Sequence, residues 1–232
     1  MPDLETLLAD PDAAWLLTER LTTLRADDPQ RLSIRAALAR ICTAGGDRIA
    51  ARAHLEAAYA MALRLEDDRA APLRCQLGLH LLSIGLPALA MPILREALLD
   101  AVDTDNTLMV VSLGSTLSAM RLEAADWAEA RKLGALVVSA ASRRGNWLGV
   151  TDGLITQSTC LLRMGASLTE AIALLLHGGK RLSSMGSPAA VNLIKARLGE
   201  LRTDHGPAVF DAALQAALAT LQAPKTADAQ AT

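Results

Sequence analysis

Small and large apolar residues recur along this chain with two interleaved rhythms. The short one has helical spacing. Ala51, Leu55 and Ala58 fall four and three residues apart, as do Ala90, Leu94 and Ala97. Residues so placed share one face of an α-helix. Ala130, Gly134 and Val137 repeat the pattern, and Ala171, Leu175 and Gly178 follow. If the last turns each carry one extra residue, Ala212, Ala216 and Ala219 take the same place. The long rhythm is a turn. Gly46, Gly85, Ala125, Gly165 and Gly206 succeed one another at intervals of 39 to 41 residues. Seven residues before each lies a small residue: Ala39, Gly78, Ser118, Ser158 or Gly199. A small side chain lets a second helix approach closely. A fixed period in this range is the signature of stacked helical hairpins.

Helix-start signals keep step with the turns. Asp28-Pro29, Asp47, Leu86-Pro87, Asp126, Asn146, Ser187-Pro188 and Pro207 each stand where a helix should open. Ser167 and Glu170 have the spacing of a capping box. Hairpins are expected at 29–66, 69–101, 105–144, 147–185 and 188–222. Pro92 falls inside a helical stretch and should kink it. No segment alternates with period two, so no sheet is expected. Residues 1–28 read as N-terminal capping helices. Trp15, Leu16, Leu17, Leu21 and Leu24 form their apolar face. The tail 223–232 is small, polar and led by proline, the composition of a disordered end.

The layout resembles the tetratricopeptide repeat. Leu77-Gly78, Leu81, Gly85, Ala90, Leu94 and Ala97 carry the resemblance most clearly. The period is longer than the usual ~34 residues, and the HEAT and armadillo classes at ~40–47 remain open. Arg121 and Arg202 occupy sites that are large and apolar in the family. The resemblance implies an all-α solenoid of about five hairpins, a right-handed superhelix with an N-terminal capping helix. It also implies that the first helix of each hairpin lines a concave groove. On this chain that lining includes Arg40, Cys75, Leu79, Leu82, Ser115, Ala119, Asp152, Ile155, Thr159, Leu162 and Glu200. The set is small, hydroxyl-bearing and aliphatic, suited to a partly apolar helix or extended segment.

Composition narrows the function. The net charge of −2 argues against nucleic acid as partner. No apolar run approaches the ~20 residues that span a bilayer. The N-terminus lacks the basic-then-apolar order of a secretory signal, so a cytoplasmic protein is expected. Cys42, Cys75 and Cys160 form no C-x-x-C pair and read as free thiols. His54, His80, His177 and His205 are scattered, and no recurring metal-ligand spacing joins them. No phosphate loop or nucleophile elbow is present. Neither catalytic residue, metal nor cofactor is therefore expected. The expected role is a noncatalytic scaffold, as adaptor, chaperone or regulatory subunit. Two alternatives stay open. One is homo-oligomerisation through Leu214 and Leu218 in an apolar stripe with Phe210 and Leu221. The other is a small-ligand or peptide sensor. The groove could also hold the chain's own N-terminal helix.

Overall fold

The computed structural model describes residues 12–222, and among them every regular element is an α-helix. The helices are α1 Ala13–Thr23, α2 Gln30–Ala44, α3 Arg48–Arg64, α4 Ala70–Ser83, α5 Pro87–Asp103 and α6 Thr107–Glu123. Then come α7 Trp127–Arg143, α8 Trp147–Arg163, α9 Leu168–Ser184, α10 Pro188–His205 and α11 Pro207–Gln222. The chain forms two compact units, Met1–Asp100 and Ala101–Thr232, with the division near the end of α5. The tail beyond 222 and the segment before 12 lie outside the described residues.

One turn chemistry serves the whole array. A residue with positive φ follows α2 at Gly46, α3 at Glu66, α4 at Gly85, α5 at Asp105 and α6 at Ala125. Gly145, Gly165, Gly186 and Gly206 do the same for α7 to α10. The turn therefore recurs after every helix from α2 to α10, about every 20 residues, and not only within hairpins. In eight of these turns the backbone N–H following the left-handed residue donates to a carbonyl five residues back, at 2.8–3.2 Å. That bond closes a Schellman turn and satisfies a helix-end carbonyl. Residue 207 is a proline and has no N–H to give, so the ninth turn lacks this bond.

The next helix then starts with a cap. The side chains of Asp47, Asn106, Asp126 and Asn146 accept from the N–H three residues on. Ser167 and Glu170 make both bonds of a capping box. α5 runs on through Pro92 without a break.

Counting from each helix start explains the packing. In α3, α5, α7 and α9 the fourth, eighth and eleventh residues are all buried, from Ala51, Leu55 and Ala58 to Ala171, Leu175 and Gly178. In the last helix the sequence register needs correction. Ala212, Ala216 and Ala219 are exposed. Phe210 and Ala217 are buried, and Leu214 packs beside them. The reason is the turn. Gly206 leads directly into Pro207, so this connection is shorter than its neighbours, and the buried positions move two residues toward the N-terminus. Likewise, Gly199 does not receive a close-packed helix, and a Cβ added there meets open space. α11 joins the core around Leu175 and Leu182 of α9 instead.

A similar correction applies to α1. Its buried residues are Ala13, Leu17 and Leu21, four residues apart, and they cover Ile34, Ala37 and Leu38 of α2. Trp15 and Leu16 face outward.

Candidate functional site

The first helices of successive hairpins lie side by side within each unit, and polar side chains tie them together. In the first unit, Arg69 at the start of α4 donates to Ser33 Oγ of α2 at 2.8 Å. In the second, Ser115 Oγ of α6 donates to Asp152 Oδ2 of α8 at 2.7 Å. Arg197 Nη2 of α10 donates to Thr159 Oγ1 of α8 at 3.2 Å, while its Nη1 pairs with Glu200 at 2.7 Å. Each of these inter-helix bonds spans 36 to 38 residues, close to one period.

Between α2 and α4 of the first unit runs a cleft of about 500 Å³. Ala39, Arg40, Thr43, Leu79 and Ser83 line it, with Leu55 of α3 below. A second hollow of about 340 Å³ continues along the same two helices past Ala36, Pro72 and Leu73. Arg40 and Gln76 belong to both. The lining is mainly aliphatic.

Between α8 and α10 of the second unit lies a different cleft, of about 480 Å³. Its walls carry Thr159, Leu162, Arg163, Arg197, Asp204 and His205. Arg163 also stacks over the Trp127 ring, 5.7 Å from its centroid.

The sequence-predicted residues sort clearly. Arg40 and Leu79 line the first cleft, and Thr159 and Leu162 line the second. Ala119, Asp152 and Glu200 are exposed, and Leu82, Ser115 and Ile155 are half-buried. Cys75 is only 6% exposed and offers no surface. Burial pushes its thiol pKa up, so it stays protonated.

Sequence reasoning missed Gln76 and Ser83 on α4, and Arg163 and Arg197 in the second unit. On α4 the cleft face is Pro72, Gln76, Leu79 and Ser83, rotated by one residue from the face containing Cys75 and Leu82. The helical spacing permits both faces. Only the direction of the neighbouring helix selects one.

Two of the scattered histidines have structural partners. His80 is buried, and its Nε2 lies 2.9 Å from the Arg48 carbonyl, which can only accept, so that nitrogen carries the hydrogen. Arg35 donates to His54 Nδ1 at 3.4 Å. Burial first, and then the Arg35 charge, lower the His54 pKa. In the turn before α4, the Arg69 guanidinium and backbone N–H hold the Asp67 carboxyl well below the usual carboxylate range. Arg121, half-buried, pairs with Asp126, and Arg202, an exposed residue, pairs with Asp211. Among the described residues no group of three His, Cys, Asp or Glu side chains could hold a metal ion. None of the described helices is long and apolar enough to cross a membrane.

No protein-family model matches the chain, and no curated protein matches it. Solved structures do. BtubC (BKLC) from P. vanneervenii superposes with a TM-score of 0.59 at 16% identity, covering 100% of this chain and 98% of that one. Two crystal structures show nearly identical TPR-like repeats of a kinesin light chain-like protein from Podosopora anserina. One gives a TM-score of 0.57 at 19% identity, covering 75% of this chain and 87% of that one. The other gives 0.55 at 16% identity, covering 82% and 88%. With the hairpins and turns described above, these likenesses establish that the fold is that of a TPR-like helical repeat protein.

Proposed function

We propose that this protein is a noncatalytic interaction scaffold that takes a partly apolar peptide or helix of another protein along the first helices of its hairpins. The carrying observation is the α2–α4 cleft, where Leu79 and its aliphatic neighbours stand open beside Arg40 and the amide of Gln76. Such a surface gains affinity from apolar burial and orientation from a few hydrogen bonds. Among the described residues it pairs no nucleophile with a base: Ser83 Oγ donates to the His80 carbonyl, and His80 Nε2 to that of Arg48. A cytoplasmic adaptor or regulatory subunit fits this reading. The clefts in both units contain residues from the predicted groove, which supports a recognition surface over an incidental hollow.

The test is a peptide selection against the full chain, followed by titration of the selected peptides. Leu79→Glu should weaken their binding by about tenfold or more, because a carboxylate would be desolvated in an apolar contact. Ile49→Glu, at a residue 85% exposed in the same unit, should leave it unchanged. Equal binding by all three proteins would refute the assignment.

A further inference from the structure

Among the described residues, the α2–α4 cleft contains a cation without a counter-charge. No Asp or Glu among the described residues lines either part of it. Arg69, at one end, is committed to Asp67 and Ser33. Arg40, in the middle, makes no ion pair or hydrogen bond with any described residue. A fitting occupant is therefore apolar and carries a carboxylate.

The chain itself has such a segment. Residues 1–11, Met-Pro-Asp-Leu-Glu-Thr-Leu-Leu-Ala-Asp-Pro, lie outside the described residues. They contain Asp3, Glu5 and Asp10, and no basic side chain precedes Arg20. Leu4, Leu7 and Leu8 have the spacing of one helix face.

The attachment point is favourable. Arg31 at the start of α2 donates to the Leu21 and Leu24 carbonyls at the end of α1, at 2.6 and 2.9 Å. With Leu17 and Leu21 packed on α2, the two helices run antiparallel. The start of α1 thus lies toward the Ala44 end of α2, where Arg40, Thr43 and Ala44 line the cleft. A helix is ~10–12 Å across. Eleven residues reach ~35 Å when extended, enough to pass round α2. A short tether also gives an effective concentration on the order of millimolar.

We propose that the segment Met1–Pro11 docks in the α2–α4 cleft, its leucines against Leu79 and a carboxylate on Arg40, and so competes with any partner for that surface. This rests on reading the cleft as a recognition surface.

The experiment places a photo-crosslinking benzoylphenylalanine at position 7 of the full chain and maps the products by mass spectrometry. Crosslinks are expected on Ile41–Arg48 and Cys75–Arg95. Arg40→Glu, at an exposed residue, should cut their yield by about tenfold. Adding Glu5→Arg and Asp10→Arg to that variant should restore it. Crosslinks on the Trp15 face of α1, covalent dimers, no crosslink, or indifference to Arg40→Glu would each overturn the proposal. If selected peptides still depend on Leu79 while the crosslinks miss the cleft, the recognition reading stands and only the self-docking falls.

Discussion

The seam between α7 and α8 and the terminal hairpin α10–α11 use glycine in opposite ways. At the seam, a Cβ on Gly153 would sit 2.6 Å from the Gly134 carbonyl and 2.7 Å from Val138 Cγ2, so the two helices meet almost backbone to backbone. In α10, Gly199 keeps the sequence position of buried Ser118 and Ser158, yet nothing lies within 4 Å of where its Cβ would be. An inner helix is covered on both flanks, and its small residues are spaces already filled. No later hairpin among the described residues covers α10, and α11 has moved over α9. The same letter in a repeat can therefore be a packing requirement or a remnant, and only its neighbours decide.

The sharpest way to break this contrast is to fill both sites. Gly153→Val should destabilise the protein by about 3 kcal/mol, the upper range for overpacking, because the obstructing atom is backbone and cannot swing aside. Urea denaturation measures it. A loss below about 1 kcal/mol would show that the seam yields. Gly199→Ala should instead stabilise by up to about 1 kcal/mol, the helix-propensity gain at an open position. Opposite signs at these two glycines are the expected outcome.

The turns provide a smaller test of the same idea. Ala125 sits at φ 56, where the glycine turns at 46, 85, 165 and 206 are free of Cβ strain. Ala125→Gly should stabilise by about 0.5–1 kcal/mol, the relieved left-handed strain less the added unfolded-chain entropy. An unchanged denaturation midpoint would mean that the turn tolerates its alanine.

The smallest effect is a pH dependence in the first unit. The folded chain holds the His54 pKa below 6.5, so the unfolded chain binds that proton more readily. Its contribution is present above about pH 6.5 and is lost as pH falls below that value. The Arg35–His54 hydrogen bond opens when Nδ1 is protonated. His54→Gln should flatten the stability profile between about pH 5 and 7. A profile identical to that of the parent chain would remove His54 from the account.

The two clefts differ as the two glycines do. Between α2 and α4 the walls are aliphatic, and Arg40 is unpaired among the described residues. Between α8 and α10 the cleft carries Arg163, Arg197, Asp204 and His205, with Arg197 tied to Thr159 and Glu200. Apolar capture suits the first, and a structural polar ladder already occupies much of the second.

By itself the sequence determined the helices, the left-handed turns and the class of the fold. Those features are local. Turn glycines, caps such as Asp47 and Ser167, and small residues at helical spacing act within one or two turns of chain. Even the missed register of α11 was latent in Gly206-Pro207, a connection too short for an extra residue. Tertiary structure alone decided which side of each helix remained open. Cys75 and Gln76 are adjacent in sequence, and helical spacing permits either to face a groove, but Cys75 is buried while the half-buried Gln76 lines the cleft beside α2. Helix periodicity fixes the angles between side chains. The origin of that rotation comes from the neighbours against which the helix packs.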